Sequence, residues 1–290
     1  MKSATTATAM LLASVRAAFF AGRKRPAVWT VTATWLGLAL VFGLGIPYVV
    51  YRVLSGDPEE AEAAEKLLTT LLPDQLVPTG IGLFPMFGGA IVLVLGALAV
   101  GNEYRWGTLN LIFTQGPRRA QVVAGQALAL ITFTLILVVA TVAVVIATMT
   151  LVAVTEGREV AWPAATAVLR LVGAAWLICA AHAGLGFLLA VVFRNTAAAI
   201  AVGLMWTLLI ENAVSGLALV LAPFKVMQKV LLAPSSGALA GALGAPSQFD
   251  GGTPGVVEAT NAWLPALVLL GYAAVTIGAA MWLAARRDVS

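Results

Sequence analysis

The sequence predicts an all-α, polytopic membrane protein, and its composition is the main reason. Of the 290 residues, 61% are hydrophobic and only 10% are charged, whereas about a quarter of the residues in a soluble domain carry a charge. The mean hydropathy is +0.97. This composition excludes a soluble enzyme, a disordered tail and a nucleic-acid-binding protein. The single cysteine and single histidine exclude an internal disulfide and argue against a metal site built from either residue.

Six apolar stretches are long enough to form transmembrane helices, since about 20 mostly apolar residues cross a hydrocarbon core of ~30 Å. They predict one transmembrane domain over residues 1–290. The stretches are Ala27–Val50, Gly80–Val100, the part between Ala120 and Val154, the part between Arg170 and Arg194, the part between Arg194 and Lys225, and Ala262–Ala285.

The distribution of charge predicts the orientation of these helices. On one side, segments 1–26, 101–119, 194–196 and 286–290 carry eleven basic and two acidic residues, and the other side carries six basic and ten acidic residues. Loops rich in lysine and arginine stay in the cytoplasm. We therefore expect a multi-pass protein of the cell membrane, surrounded by the lipid bilayer, with both termini in the cytoplasm.

The first 26 residues predict an amphipathic helix on the inner leaflet. Leu11, Leu12, Val15 and Phe19 recur at helical spacing, and polar residues lie between them. Such a pattern is typical of a helix that lies in the membrane interface. A frayed N-terminal tail is the alternative.

The segment after the first stretch is predicted to be external. Its residues show a pattern typical of a helix. Asp57 is suited to cap a helix, Pro58 to occupy its first turn and Pro73 to end it. Ala61, Ala64, Leu68 and Leu71 give this helix an apolar stripe.

Residues 223–261 predict two re-entrant helices. Phe224–Leu232 and Ser236–Leu243 are apolar but too short to cross the membrane, and Pro234 and Ser235 divide them. Free backbone groups are costly in lipid, so short helices of this kind must be buried in protein or lie at the interface. The alternative is an ordinary external loop.

Three polar residues inside the apolar stretches are candidate functional residues. Glu211 is the one acidic residue within a span, and intramembrane ionisable groups are functional candidates by default. His182 lies on the fourth stretch, and Asn212 follows Glu211. Depth along the helices predicts that Glu211 faces the bundle and shares a hydrogen bond with His182 or Asn212. A structural role, in which these groups only hold helices together, is the alternative for each.

The segment 102–117 predicts an amphipathic helix between the second and third stretches. Trp106 lies on an apolar face with Leu109 and Phe113, and Gly107 lies on another face with Glu103, Asn110 and Thr114. Gly116 and Pro117 end the helix, and two arginines follow. Such a helix on the cytoplasmic surface is suited to dock a soluble partner, and a passive connector is the alternative.

The amino-acid sequence of this segment resembles the signature of type-2 ABC exporter permeases. They are Glu103-Tyr104-Arg105-Trp106-Gly107-Thr108-Leu109, followed by Thr114, Pro117 and Arg118. The resemblance implies that the segment is the coupling helix that contacts an ATP-binding subunit. By this resemblance, the residues expected to bind the partner are Glu103, Tyr104, Arg105, Trp106, Gly107, Thr108 and Arg118.

The chain lacks the means to hydrolyse ATP. A phosphate-binding loop ends in Gly-Lys-Ser/Thr, and none of the five lysines follows a glycine. The resemblance therefore implies a non-enzymatic permease, with ATP and Mg on a separate ATP-binding subunit and with a second permease copy or paralogue. The expected cargo is a hydrophobic small molecule or peptide, such as a drug, a peptide antibiotic or a lipid. Two alternatives stay open: a proton-coupled secondary carrier that uses Glu211 and His182, and a non-transporting membrane protein that assembles or senses.

Overall fold

The computed structural model describes residues 2–105, 119–218, 220–248 and 252–286. Over these ranges the chain is helical, without a strand, which confirms the predicted all-α class. Within them, six helices are long and apolar enough to cross a membrane, and we number them as spans one to six. They are Pro26–Leu54, Phe84–Tyr104, Ala120–Thr155, Ala165–Phe193, Thr196–Leu217 and Trp263–Arg286.

Shorter helices connect or flank the spans. The N-terminal helix is Lys2–Lys24, and the described part of span three begins at Arg119. The others are the α-helices Ala61–Thr70, Leu76–Gly82, Ala222–Met227 and Leu232–Ala242, and the 3-10 turns Pro58–Glu60, Pro73–Gln75 and Gln228–Val230.

Three spans contain a π-helical turn, at Val41–Gly45, Phe84–Gly88 and Met205–Ile210. The first of these turns lies just before Pro47, and the second contains Pro85. Proline removes a backbone donor and disturbs the hydrogen bonds of the preceding turn, which accounts for these two. The third turn has no proline and ends directly before Glu211.

Spans two and four form the centre of the bundle. Each has 61% of its most apolar segment buried, against 17% for span one and 22% for span six. Their backbones touch: a Cβ on Gly186 would collide with the carbonyl oxygen of Leu93, and one on Gly96 would collide with that of Ala183. Only glycine permits this approach, which is typical of membrane helix pairs.

Polar contacts define the two ends of the bundle. At one end, which we call the terminal face, Arg25 forms an ion pair with Glu103, and Thr196 donates a hydrogen bond to Asn102 at 3.3 Å. At the opposite face, hydroxyl groups near the end of span one bind Glu156 at the end of span three. The N-terminal helix reaches the terminal face by packing on span three, where a Cβ on Gly125 would lie 2.5 Å from that of Ser14.

The helix expected over residues 1–26 is therefore present as Lys2–Lys24. Val15 and Phe19 are half-buried, but Leu12 is 55% exposed. The interfacial position of this helix stays a prediction.

The helix expected after span one is confirmed at Ala61–Thr70. Asp57 accepts a hydrogen bond from the backbone N–H of Glu59 at 3.0 Å, so it caps the short 3-10 turn that leads into the helix. Leu68 and Leu71 are buried. The inclusion of Ala61 in the apolar stripe was wrong, because this residue is exposed in the first turn.

Glu156 is the centre of a polar cluster on the opposite face. Tyr48 and Tyr51 each donate a hydrogen bond to one of its carboxylate oxygens at 2.7 Å, and Arg52 contacts it at 3.3 Å. The pKa of Glu156 lies below its usual value mainly because of the two hydrogen bonds from the tyrosines. The cluster joins the ends of spans one and three.

The close contact at Gly186 predicts that Gly186→Ala destabilises the protein by about 1–3 kcal/mol, because an added methyl group would overpack the centre. Gly173→Ala in the same helix is the matched control, since a Cβ there meets nothing within 4 Å. The measurement is the apparent Tm of the two variants in detergent. An equal Tm for Gly186→Ala and the unchanged protein would contradict the close packing of spans two and four.

The Glu156 cluster predicts a pH-dependent contribution to stability. A carboxyl group whose folded pKa is lowered stabilises the fold above its unfolded pKa and loses this effect as the pH falls through the folded pKa. We expect Glu156→Gln to lower the Tm at pH 7, and the difference to shrink below pH 4.5, the ordinary value for glutamate. The exposed Glu62, changed to Gln, is the control for the loss of one carboxylate. A difference that is the same at pH 7 and pH 3 would contradict the role of the carboxylate.

Candidate functional site

Glu211 lies in span five, directly after the π-helical turn, and is fully buried. Its carboxyl group accepts three hydrogen bonds. The indole N–H of Trp206 donates to Oε1 at 2.7 Å, and the backbone N–H of Leu232 donates to the same oxygen at 3.3 Å. The backbone N–H of Ala233 donates to Oε2 at 2.5 Å. Two of the three donors are therefore the first backbone groups of the helix Leu232–Ala242.

This helix begins inside the protein and lacks a cap of its own. The first N–H groups of any helix have no partner within it. Leu231 precedes the helix in an extended conformation and provides no side-chain hydrogen bond. Pro234, in the first turn, has no N–H to satisfy. Glu211 thus caps the helix from another element of the fold, at a position where Leu232 is fully buried.

The sequence predicted the break between the two short helices of residues 223–261 at the wrong position. The chain bends at Leu231, between the short helices Ala222–Met227 and Leu232–Ala242, and not at Pro234 and Ser235. Proline is compatible with the first turn of a helix, because the N–H that it lacks would be free there in any case.

The two short helices also differ in burial. Ala222–Met227 has no buried residue, whereas Ser235 and Ser236 in the second helix are almost completely buried. The second helix lies against an extended segment, where a Cβ on Gly237 would collide with the carbonyl oxygen of Gly255. A buried short helix is what a re-entrant helix requires, and only the second of the two fits this description.

The hydrogen bond expected between Glu211 and His182 or Asn212 was wrong. His182 Nδ1 pairs with the carbonyl oxygen of Ile178 at 2.9 Å, one turn earlier in the same helix. The amide of Asn212 donates to the carbonyl oxygens of Thr207 and Leu208 at 3.2 and 3.0 Å. Each of the three candidate residues therefore has its own partners.

His182 and Asn212 do share a small polar cavity below the second short helix. Its volume is about 10 Å³, which is close to the minimum for one water molecule. Thr207, Ser215 and Gln248 also line it. Among the described residues, no group of three or more His, Cys, Asp or Glu side chains could hold a metal ion.

At the terminal face, Glu103 has a partner within the chain. It is only 7% exposed and forms an ion pair with Arg25, whose guanidinium also reaches the carbonyl oxygen of Ala99 at 3.5 Å. Tyr104 is half-buried against the core, and the side chain of Arg105 is not described. Trp106, Gly107, Thr108 and Arg118, with most of the expected helix 102–117, lie outside the described residues. Their contact with a partner stays a prediction.

The sequence did not indicate the partner of Glu103. Arg25 and Glu103 are 78 positions apart, and Arg25 is one of three consecutive basic residues, Arg23 to Arg25. The position of Arg25 directly before the proline that starts span one was the one available signal, because it fixes this side chain at the membrane boundary.

A comparison with protein families gives a match over most of the chain. Residues 29–289 match the model of a family described as ABC-2 family transporter protein. The matched range contains all of the spans except the first residues of span one. A comparison with curated proteins found no match.

The cap predicts how substitutions of Glu211 act. Glu211→Leu leaves the N–H groups of Leu232, which is buried, and of Ala233, which is partly buried, without acceptors. An unpaired buried group costs about 1–3 kcal/mol. Glu211→Gln keeps one carbonyl oxygen, but its NH₂ group cannot accept from Ala233. We therefore expect the second short helix to open more often in Glu211→Leu and to an intermediate degree in Glu211→Gln.

Thiol labelling of Ser235→Cys in a Cys179→Ala background measures this opening. Ser235 is 2% exposed, so labelling by an impermeant maleimide should be slow. It should accelerate about tenfold or more in Glu211→Leu, since about 1.4 kcal/mol is a factor of ten. Thr260→Cys, at an exposed position, is the control and should react fast in every background. Equal protection of Ser235→Cys with and without the Glu211 carboxyl group would contradict the cap.

Proposed function

Because the chain belongs to the ABC-2 family of transporter proteins, we propose that it is the permease subunit of an ATP-driven exporter. The family match over residues 29–289 carries this proposal. Six apolar helices of spanning length support it. The proposed orientation has both termini in the cytoplasm, following the excess of basic residues on that side.

The proposed partner is a separate ABC ATP-binding subunit, which carries ATP and Mg. The chain has no glycine-lysine pair from which a phosphate-binding loop could be built. The segment 102–117 is proposed as the coupling helix, and Glu103 to Thr108 with Arg118 as its contact residues. Along the chain the segment lies between spans two and three, so a force on it would act on both helices.

The Arg25–Glu103 ion pair would also transmit this force from span two to span one. It joins the end of span two to the start of span one, beside the N-terminal helix. Closure of the ATP-binding subunits would favour one arrangement of the spans over the other, because the nucleotide stabilises the two states differently. The ion pair would hold span one to span two during the change.

Exposed apolar surfaces support the proposal of a second permease subunit. Spans one and five expose large side chains to their surroundings, among them Phe42 and Val49 on span one and Leu209 on span five. A second copy or a paralogue is proposed to cover part of this surface, and lipid the rest. The proposed cargo is a hydrophobic or amphipathic compound, such as a drug, a peptide antibiotic or a lipid.

The separate partners of Glu211 and His182 argue against a proton-coupled carrier. A proton relay needs groups that exchange hydrogen bonds, and these two bind a helix N-terminus and a backbone carbonyl instead. Their geometry supports structural roles for both residues.

The proposal predicts the behaviour of a charge exchange at the terminal face. We expect Glu103→Arg to abolish cargo-stimulated ATP hydrolysis by the complex that co-purifies with the full-length chain, because the introduced guanidinium would repel Arg25. The double variant Arg25→Glu with Glu103→Arg should restore much of the activity if Glu103 acts through the ion pair. Gly107→Trp should uncouple the complex with the ion pair intact.

The measurement is vanadate-sensitive ATPase activity in liposomes, with and without cargo. Absence of rescue in the double variant would assign Glu103 to direct contact with the ATP-binding subunit. Transport that persists without any ATPase and depends on a proton gradient would contradict the proposal and favour the carrier.

A further inference from the structure

The chain that leaves span five exposes an apolar surface. Span five begins at the terminal face, where Thr196 lies, and therefore ends at the opposite face. Residues 220–230, which we call the exit segment, contain the first short helix, Ala222–Met227, and the 3-10 turn that follows it. Val220 is 83% exposed, Val226 70% and Val230 59%. Exposed apolar side chains that lie close together mark a contact with a membrane or a partner.

The side chains of the exit segment differ in burial around its axis. Residues four positions apart lie near one another on a helix. Phe224 and Gln228 are partly buried, so this side of the segment faces the protein. Lys225 and Lys229 are exposed, and each directly precedes one of the exposed valines. The outward surface of the segment therefore combines a basic stripe with an apolar stripe.

The charge around the two lysines is basic and not balanced by nearby residues of the sequence. Residues 212–249 contain Lys225 and Lys229 and no acidic residue. Glu258 lines a cavity of about 270 Å³ together with Lys229. Within the described part of the chain, however, neither ammonium group forms an ion pair. Both lysines are therefore available to an anion from outside the described chain.

The combination of stripes fits a membrane interface better than a protein interface. In the interface of a bilayer, apolar side chains enter the acyl boundary while lysine ammonium groups extend to the headgroups. Interfaces between proteins are depleted in lysine. The exit segment also continues the exposed apolar surface of span five, where Leu209 is 64% and Leu217 43% exposed.

We propose that the exit segment lies in the interface of the leaflet at the opposite face and binds anionic phospholipids. Val226 and Val230 enter the acyl boundary, and the ammonium groups of Lys225 and Lys229 pair with headgroups that carry a net negative charge. One lysine near an anionic surface enriches such lipids about fivefold. This interaction goes beyond the proposed transport function and requires neither ATP nor cargo.

Lipid-specific fluorescence quenching tests the proposal. The full chain with Val226→Cys in a Cys179→Ala background carries a nitrobenzoxadiazole probe and is placed in phosphatidylcholine nanodiscs. A small fraction of the lipid is either phosphatidylglycerol or phosphatidylcholine with a spin label near the start of the acyl chain. We expect both to quench, with phosphatidylglycerol enriched at the probe by about fivefold for each lysine. Equal quenching by the two lipids would overturn the proposal.

A second probe position controls for the general attraction of anionic lipids to the protein. Val154, near the end of span three at the same face, is 65% exposed and lies beside Glu156. The same probe on Val154→Cys should be quenched equally by the two lipids. An equal preference for phosphatidylglycerol at Val154 and Val226 would overturn the assignment to the exit segment.

Charge variants identify the groups that bind the lipid. Lys225→Gln and Lys229→Gln should each lower the preference for phosphatidylglycerol at Val226→Cys about fivefold, and the double variant should abolish it. Lys66→Gln is the matched control, because Lys66 is exposed at the same face but follows Glu62 by one helical turn. A preference that persists in the double variant, or that falls as far in Lys66→Gln, would overturn the proposal.

The same probe distinguishes other surroundings of the exit segment. Quenching by aqueous iodide and by neither lipid would place the segment in water. Protection from iodide and from both lipids, with energy transfer between two labelled chains, would assign the surface to a second copy. Either result would overturn the proposal.

Discussion

The fold depends on one constraint: a helix that begins within the bundle needs acceptors from the protein for its first N–H groups. Glu211 provides both acceptors from span five. The carboxyl group is held in place by the indole of Trp206, five residues earlier across the π-helical turn. The turn and the cap thus form one arrangement, because the π-helical turn immediately precedes the residue that caps the second short helix. The 3-10 turn Gln228–Val230, just before the second short helix, is tied to span six, where the Tyr272 hydroxyl donates to the carbonyl oxygen of Val230 at 3.2 Å.

The sequence predicted the spans well because hydropathy over 20 residues depends little on how helices pack. It failed at Glu211 for a physical reason. The rise per residue gives the depth of a side chain but not its direction around the helix axis, and the turn Met205–Ile210 changes that direction just before Glu211. The error at Pro234 has a similar origin, since proline breaks a helix interior but is accommodated in a first turn. The short-helix pair was therefore recognisable, but its bend at Leu231 and its cap were not.

The terminal face provides a second example of a contact that the sequence could not predict. The motif that includes Glu103 was recognisable by resemblance, and its residues were expected to face a partner subunit. The structure pairs Glu103 with Arg25 and leaves it 7% exposed. A motif specifies which residues occur together, but a contact between positions 78 residues apart depends on how the spans meet. The ion pair could not be inferred from residue spacing.

The packing indicates which parts of the proposed transporter move together. Spans two and four touch through their backbones at Gly96 and Gly186, and a close-packed contact of this kind transmits displacement instead of absorbing it. A force on the segment after Glu103 would therefore move spans two and four as one unit. The second short helix packs against span four and against the π-helical turn of span two, so it would sense this movement at the opposite face. Its N-terminus, however, is held by span five through Glu211. The cap therefore connects the central pair of spans, through the second short helix, to span five.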